Sequence, residues 1–370
     1  MKSNVYFIEV KADDGDPEAR CDALQKLLEK VNPFRCYKKD EFIPVKLTIG
    51  DSQCIYNTRP ELVKIIISEI KKLKAKPFLF DTNVIYKGER LNAIDHMNLA
   101  QSKGFGYTKV GAPFIIADGV FGQDGKEHAI DSDYIKKIKT PSFIGSLESL
   151  VVLSHATGHI LSGYAGAIKN IAMGMCSRPT KQVQHSSLKP HIMEKKCIAC
   201  GCCIKICPAQ AISSRTRSNP QPEGHSLNRG TKYAAIDQAK CIGCGECLCA
   251  CKFDAIFINW SEDHDIFAKR MIDVAHFILS KFKNKFFIAF GFDITKECDC
   301  ISTKDELIFS ENIGILASAD PLAIDKAMVD LINKNKDAFK ETGLLDTHKT
   351  MFEYGHKKGL GNLDYNLIKI

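Results

Sequence analysis

The sequence predicts an α/β fold, in which a discontinuous domain with a mainly parallel β-sheet is interrupted by a small α+β module. The two parts of the domain are expected at residues 1–185 and 260–370, and the module at residues 186–259. Short apolar runs alternate with helical patterns on both sides of the module, which is typical of a parallel sheet covered by helices. A dense group of cysteines separates the two parts and marks the module.

The elements of the first part follow from its apolar pattern. Pro60 opens a predicted helix that extends to about Lys74 and places Leu62, Ile66 and Ile70 on one face. Four apolar runs are predicted to be buried strands. These runs are residues 5–10, 78–80, 114–117 and 150–153.

The second part continues the alternation. A helix with one apolar face is predicted from Phe267 to Phe282, followed by a strand at residues 286–290. Asp320 followed by Pro321 is typical of an N-cap and the first residue of a further helix. One domain that the module interrupts is the simplest interpretation, and two independent domains flanking the module are the alternative.

Composition narrows the class of protein. The 370 residues include 16 cysteines, yet the short apolar run near the start leads directly into Asp13 and Asp14, unlike a secretory signal. No segment approaches the roughly 18 apolar residues that span a bilayer. We therefore expect a reducing, cytoplasmic compartment without a membrane partner, in which clustered cysteines bind metal instead of forming disulfides.

The cysteines form an internal repeat. The pattern C-x₂-C-x₂-C-x₃-C occurs at residues 197–207 and again at residues 241–251, and residue 241 lies 44 residues after residue 197. The same offset aligns Gly201 with Gly245 and Ile212 with Ile256. Agreement outside the cysteines indicates a duplicated unit.

This spacing predicts two [4Fe–4S] clusters in a ferredoxin-like module. Three cysteines of each copy hold one cluster, and the fourth crosses to the cluster of the other copy. The ligands of the first cluster are expected to be Cys197, Cys200, Cys203 and Cys251. The ligands of the second are expected to be Cys241, Cys244, Cys247 and Cys207. A zinc site fits less well, because it would leave a surplus of evenly spaced thiolates.

Two further cysteines within the motifs are predicted not to be ligands. Cys202 aligns with Glu246 and Cys249 aligns with Lys205, so neither position is cysteine in both copies. The clusters also change the charge of the molecule. The formal net charge of +7 falls to about +3 when each cluster with its thiolates contributes about −2. With lysines spread along the chain, no nucleic-acid partner is expected.

Taken together, the chain resembles the iron–sulfur centre proteins of the DUF362 type over nearly its whole length. The resemblance implies the interrupted architecture and assigns no catalytic residues. The residues that carry it are Asp81-Thr82-Asn83, Tyr86-Lys87-Gly88-Glu89-Arg90, His96, Gly104-Phe105, Ala112-Pro113-Phe114-Ile115-Ile116-Ala117-Asp118-Gly119, Lys169-Asn170-Ile171-Ala172-Met173-Gly174, Gln184-His185-Ser186, Phe292-Asp293-Ile294-Thr295, Cys298-Asp299-Cys300, Ala319-Asp320-Pro321 and Gly359-Leu360-Gly361-Asn362.

Four residues are candidates for catalysis. Asp118 and His155 each follow a predicted strand, where ligands of α/β sheets usually bind. Lys169 follows a run of small residues that could hold an anion at a helix N-terminus, although close helix packing explains that run as well. His185 shortly precedes the module, and we expect all four side chains to share one cleft facing the clusters.

Four more residues are candidates for cofactor binding. Lys46 is in a predicted strand, where it could meet an anion or be a lysine on an edge strand. His96 is in a predicted helix and could be a general acid or a surface or capping residue. Cys298 and Cys300 could hold a further metal, act in redox chemistry or be ordinary reduced thiols.

These features favour an iron–sulfur oxidoreductase that passes electrons through two clusters to a small-molecule substrate or cofactor on the α/β domain. A redox partner, as donor or acceptor, is expected. One alternative is a ferredoxin-like carrier or subunit without its own reaction. Another is a protein whose clusters are structural or sense oxygen or redox state.

Overall fold

The structure is a computed structural model, and it confirms the α/β class with a mainly parallel sheet. It describes most of the 370 residues. The residues that it does not describe are 1, 11–16, 87, 186–188, 208, 218–230, 242–246, 248–249, 252, 254, 258–263 and 301–305.

The first part of the chain contributes strands β1 to β9 and helices α1 to α6. The strands are β1 Ser3–Glu9, β2 Phe42–Lys46, β3 Lys76–Asp81, β4 Phe114–Ile116, β5 Lys126–Ala129, β6 Lys137–Thr140, β7 Ser149–His155, β8 Thr157–His159 and β9 Gly163–Ala165. The helices are α1 Pro17–Val31, α2 Pro60–Lys72, α3 Ala93–Ser102, α4 Tyr107–Val110, α5 Ala167–Gly174 and α6 Arg178–Gln184.

The cysteine-rich module and the second part follow. The module contains β10 His191–Ile192, α7 Cys202–Ile206, β11 Ile212–Thr216, β12 Lys232–Ile236 and β13 Ile256–Phe257. The second part contains α8 His264–Ser280, β14 Asn284–Gly291, β15 Gly314–Ser318, α9 Pro321–Ile332, α10 Ala338–Glu341, α11 His348–Lys357 and β16 Tyr365–Lys369.

One eight-stranded sheet contains strands from both parts. Its order is β16-β1-β15-β14-β7-β2-β3-β4, and neighbours are parallel except at β1–β15 and β15–β14. The strand β7, which precedes the module, pairs with β14, which follows it, and Val152 lies opposite Phe287. The two parts therefore share a sheet, while the domain boundaries given above stay predictions.

Apolar side chains cover both faces of this sheet. Every residue of β7 is buried, as expected for a central parallel strand. On one face α2 buries Ile66 and Ile70 at helical spacing, and each such side chain contributes about 1.5–3 kcal/mol when fully buried. This helix ends at Lys72, two residues before the predicted end, and Lys74 has a left-handed φ of 60°. The other face packs against α5, α8 and α9.

The module has an internal two-fold pattern that matches its sequence repeat. In β10–β13, Ile192 lies opposite Ile256, and in β11–β12, Ile212 lies opposite Ile236. The 44-residue offset relates these two pairs. The backbone N–H of Met193 donates to the Ala255 carbonyl at 2.7 Å, and at the equivalent position Asp237 donates to Ala211, also at 2.7 Å. The duplication thus extends beyond the cysteine motifs.

The parallel strands end together at one edge of the large sheet. Lys46, Asp81 and His155 are the last residues of β2, β3 and β7. In parallel α/β sheets this carboxyl edge is where ligands bind. Separately, none of the helices in the described ranges is both long and apolar enough to cross a bilayer.

Candidate functional site

Cysteines from both motif copies meet in the module. Cys197, Cys200 and Cys203 of the first copy line a small cavity together with Cys251 of the second. The loop that carries the first three includes Gly201, whose left-handed φ of 77° lets the backbone turn tightly before α7. These four are the residues predicted from the repeat to share a cluster.

The donor set at this cavity fits a [4Fe–4S] cluster, which takes four thiolates and is tuned by N–H···S hydrogen bonds. The backbone N–H groups of Ala199 and Ala234 donate to Cys197 Sγ at 3.4 and 3.3 Å. Within the described ranges, no three His, Cys, Asp or Glu side chains are grouped to hold a single metal ion. A group of that kind would bind one metal ion, whereas a four-iron cube holds its thiolates around a larger volume.

The second predicted set is described in part. Cys241, Cys247 and Cys207 are described, and Cys244 lies outside the described residues. The Ala211 N–H donates to Cys207 Sγ at 3.2 Å, and Cys207 packs against the core that buries Cys247. Cys202 is exposed and lines the first cavity, Cys249 lies outside the described residues, and the role of each stays a prediction.

Lys46 is fully buried on a central strand. Because β2 lies between β7 and β3, the interpretation of Lys46 as an edge-strand lysine is wrong. Its ammonium lies 3.1 Å from Asp81 Oδ1 and donates to Asn170 Oδ1 at 2.6 Å and the Leu47 carbonyl at 2.7 Å. Burial lowers the pKa of Lys46, against the opposing effect of Asp81. The pair is therefore a buried ion pair at the carboxyl edge.

His96 is also buried, so the surface interpretation is wrong. Asn92 caps α3 through its side chain, which excludes a capping role for His96. The His96 Nε2 atom is 3.8 Å from Asp81 Oδ2, and no described residue forms a hydrogen bond with either ring nitrogen. Burial lowers the pKa of His96 to about 3, so the imidazole is neutral. A neutral buried imidazole with open ring nitrogens can accept or donate a proton to a ligand.

Asp118 makes a second set of polar contacts at the carboxyl edge of the sheet. Its Oδ1 accepts hydrogen bonds from the backbone N–H of Asn83 at 2.9 Å and from Asn83 Nδ2 at 3.0 Å. Burial raises the pKa of Asp118 to about 6. Lys181 Nζ donates to Thr82 Oγ1 at 2.7 Å and to the Asn83 carbonyl. Asp118 and Lys181 thus face the same short segment from different sides.

Sequence reasoning missed Lys181 and Arg90. Arg90 is buried, and its guanidinium donates to the Tyr86 hydroxyl at 2.6 Å and to Thr48 Oγ1 at 3.2 Å. Lys181 is buried on α6, a seven-residue helix. A basic residue in the quoted family segment 86–90 was an available signal for Arg90, whereas nothing in the helical pattern distinguishes Lys181 from a surface lysine.

Lys169 binds the cysteine pair that follows β14. Its ammonium donates to Cys300 Sγ at 3.3 Å. Burial alone would lower the pKa of Lys169, but the neighbouring Cys298 and Cys300 outweigh it and raise that pKa. The sequence did not place Lys169 beside this pair, and the chemical role of all three residues stays a prediction.

His155 is held by two acceptors. Its Nδ1 lies 2.8 Å from Asp299 Oδ1 and its Nε2 lies 2.7 Å from the Phe292 carbonyl. Both partners are acceptors, so this geometry favours a proton on each ring nitrogen. Burial alone would lower the pKa of His155, but Asp299 outweighs burial and raises it.

That Asp118, His155, Lys169 and His185 share one cleft facing the clusters stays a prediction. Asp118 and His155 lie at the carboxyl edge through separate partners, and Lys169 contacts Cys300. His185 lies at the C-cap of α6 and stacks on Phe267, with ring centroids 4.7 Å apart. Helix α8, which carries Phe267, sets that position, and the sequence pattern could not show which helix packs there. Burial, and then the charges of Lys169 and His185, lower the pKa of His159, so both residues lie near that one histidine.

The expected anion site at the N-terminus of α5 is filled by the protein itself. The backbone N–H groups of Ala167 and Ile168 donate to the two carboxylate oxygens of Asp325 at 2.8 and 2.9 Å. The Tyr164 hydroxyl contacts the same carboxylate. Asp325 comes from α9, which is remote in sequence, so the sequence could not reveal this internal cap.

We name five ionic residues the carboxyl-edge cluster: Lys46, Asp81, Arg90 and Lys181, which are buried, and Lys169, which is half-buried. Their charges act on one another: Lys181 and Arg90 influence Lys46, and the cations together lower the pKa of Asp81 although burial alone would raise it. Arg90 also acts on Cys300 and so joins the Asp81 region to the cysteine pair. This concentration of cationic groups suits a ligand that carries negative charge.

Two solved structures that align with this chain share little of its sequence. The lactate racemase apoprotein from Thermoanaerobacterium thermosaccharolyticum aligns with a TM-score of 0.39 and 13% identity, over 78% of this chain and 51% of that one. A Thermotoga maritima protein solved by structural genomics aligns with a TM-score of 0.40 and 9% identity, over 95% and 61%. The chain thus spans about half to three-fifths of those two proteins.

A search of curated proteins found no match. One family model does match, and its description is a domain of unknown function, DUF362. The match covers residues 43–330, which is well over half of the chain and includes the cysteine module. The chain belongs to the DUF362 family.

Proposed function

We propose that this protein is an iron–sulfur oxidoreductase that holds two [4Fe–4S] clusters in its module and acts on a small anionic molecule at the carboxyl-edge cluster. One observation carries the proposal: Cys251 of the second motif copy lines the same cavity as Cys197, Cys200 and Cys203 of the first. A crossed ligand set of this kind is the arrangement that the duplicated motif requires.

The clusters would supply one-electron transfer when bound. Cys197, Cys200, Cys203 and Cys251 would hold the first. The backbone N–H groups of Ala199 and Ala234 donate to Cys197 Sγ, and hydrogen bonds of this kind tune a cluster held by that sulfur.

The carboxyl edge supplies binding and proton chemistry. Lys46, Arg90 and Lys181 offer positive charge to an anionic ligand, while buried Asp81 keeps part of that charge balanced. His96 has open ring nitrogens, and Asp118 has a pKa raised by burial to about 6. Groups with perturbed pKa values beside a charged cluster are typical of proton donors and acceptors at functional sites.

The ligand assignment is tested by two neighbouring cysteines that line one cavity. We predict that Cys203→Ser loses about four irons per chain or converts one cluster to a three-iron form, because it removes a ligand thiolate. Cys202→Ser is the matched control, and its iron content should equal that of the wild type. Iron analysis and electron paramagnetic resonance of the anaerobic, reduced proteins measure both. Equal loss in the two variants, or loss in neither, would overturn the assignment.

A further inference from the structure

Two thiols lie side by side at the carboxyl edge, outside the module. Cys298 is buried, Cys300 is partly exposed, and a turn at residues 299–300 brings their side chains next to each other. Cys300 Sγ also receives a hydrogen bond from the Lys169 ammonium, at 3.3 Å, and the Tyr86 hydroxyl lies beside it. A thiol, a cation and a hydroxyl therefore surround one sulfur.

The charges around the pair distinguish the two sulfurs. The contact with Cys298 and the positive charges of Lys169 and Arg90 outweigh burial and hold the pKa of Cys300 well below its ordinary value. The contact with Cys300 and burial hold the pKa of Cys298 well above its own. Cys300 is therefore the sulfur that favours the thiolate form. A thiolate is the nucleophile in thiol–disulfide exchange, and a neighbouring thiol is its natural resolving partner.

We propose that Cys298 and Cys300 form a redox-active dithiol that reduces a small-molecule disulfide. In the first step, the Cys300 thiolate attacks one sulfur of the disulfide RSSR, forms a mixed disulfide and releases RS⁻. In the second, Cys298 attacks Cys300 Sγ, and its proton passes to the departing second thiolate, which leaves as RSH. The pair loses two electrons, the substrate gains two, and a Cys298–Cys300 disulfide remains. A small substrate is required because Cys298 is buried and Cys300 is only partly exposed.

Lys169 and Tyr86 act as positioning residues for this reaction. Lys169 donates to Cys300 Sγ, the Tyr86 hydroxyl lies beside that sulfur, and the Arg90 guanidinium in turn donates to the Tyr86 hydroxyl at 2.6 Å. The dithiol chemistry does not require the clusters. Reducing the oxidised pair again requires two electrons and one proton. Only this return step would rest on the proposed function, because the one-electron donors proposed there are the clusters.

The experiment follows the one tryptic peptide that contains both thiols. Trypsin cleaves after Lys296 and Lys304, and residues 297–304 hold no cysteine besides Cys298 and Cys300. Anaerobic holoprotein is treated with 2-hydroxyethyl disulfide, alkylated and mapped by mass spectrometry. We expect this peptide to lose both alkylation sites together, to regain them with dithiothreitol, and to trap a 2-hydroxyethyl adduct on Cys300 in the Cys298→Ser variant. A peptide that stays fully alkylated would overturn the proposal. So would an adduct on Cys298 in the Cys300→Ser variant together with no adduct on Cys300 in the Cys298→Ser variant.

The alkylation rate of Cys300 provides a second readout that a structural role would not change. In Cys298→Ser protein we expect a rate nearly independent of pH between about pH 6 and about pH 9. Adding Lys169→Met should slow the alkylation about 10-fold at about pH 6.5, because the variant loses the ammonium that favours the Cys300 thiolate. Tyr86→Phe, which removes one hydroxyl, should also slow the alkylation of Cys300. Lys103→Met is the control, because its ammonium donates to the carbonyls of Asp51 and Cys54.

An unchanged pH profile in both Lys169→Met and Tyr86→Phe would contradict the proposal. Iron content is measured on the same samples. Cluster loss with an intact dithiol, or the converse, separates failure of the proposed function from failure of this inference.

Discussion

At the scale of single residues, the carboxyl edge is built from ionisable side chains that are buried and partnered. His155 is an example, since Asp299 and the Phe292 carbonyl accept hydrogen bonds from its two ring nitrogens. Burying a charge is costly unless a partner and hydrogen bonds compensate for it. The partners here come from residues 137 and 144 positions away in the chain, so the fold must form before the charge is tolerated.

The His155–Asp299 pair makes stability depend on pH. Asp299 outweighs burial and raises the pKa of His155 above its ordinary value of 6.5. A raised folded-state pKa contributes stability that is fully present below the unfolded pKa and is lost as pH rises through the folded value. We predict that the unfolding midpoint of the wild type, relative to His155→Gln, falls as pH increases above about 6.5.

Thermal unfolding of both proteins across this pH range measures the effect. His356→Gln, which removes an exposed histidine, is the control for loss of the side chain itself. A wild-type advantage over His155→Gln that stays constant or grows with pH would contradict this account.

Individual residues show where sequence reasoning succeeds. The positions of Asp118 and His155 at strand ends were predictable, because an apolar run followed by a polar residue marks the end of a buried strand. The environment of Lys46 was not predictable. Whether a strand is central or at an edge depends on the order of strands in the sheet, and no local pattern encodes that order. The interpretation of Lys46 as an edge-strand lysine failed for this reason.

At the scale of elements, the N-terminus of α5 shows how a helix end is satisfied from a distance. The first N–H groups of a helix have no partner within the helix. Here Asp325 of α9 accepts from Ala167 and Ile168 and occupies the position where an anionic ligand was expected. Burial raises the pKa of Asp325 to about 7, against the effect of these two hydrogen bonds.

Removing this carboxylate should destabilise the fold. We predict that Asp325→Ala lowers the free energy of unfolding by about 2 kcal/mol or more, because each buried donor left unsatisfied costs about 1–3 kcal/mol. Asp325→Asn keeps an acceptor oxygen and should lose less. Denaturant unfolding measures both, with Asp337→Ala, at the exposed N-cap of α10, as a control expected to cost about 1 kcal/mol. A loss for Asp325→Ala no larger than for the control would contradict the assignment.

Elements with a strong local pattern were predictable. The start of α2 at Pro60 and of α9 at Pro321 follow from proline at the first helical position. The internal cap was not, since it joins two helices that are 158 residues apart between Ala167 and Asp325. The repeat in the module was predictable in part. Its cysteines were evident, whereas Ile192 and Ile236 also obey the 44-residue offset and could have extended it earlier.

At the scale of the whole molecule, one sheet connects both ends of the chain. Strand β1 lies between β15 and β16, and β14 lies beside β7, so residues on either side of the module form a continuous structure. Alternating strands and helices predicted the class of fold. The order of strands could not be predicted from that alternation, because many orders place the same apolar residues in the interior.

The whole-molecule account depends on the two clusters, because they link the duplicated module to the chemistry proposed at the carboxyl edge. The most direct test is the iron and acid-labile sulfide content of anaerobically reconstituted protein. Eight ligand thiolates in two crossed sets predict about eight irons and about eight sulfides per chain. A plateau at about four of each, or iron without sulfide, would contradict the account.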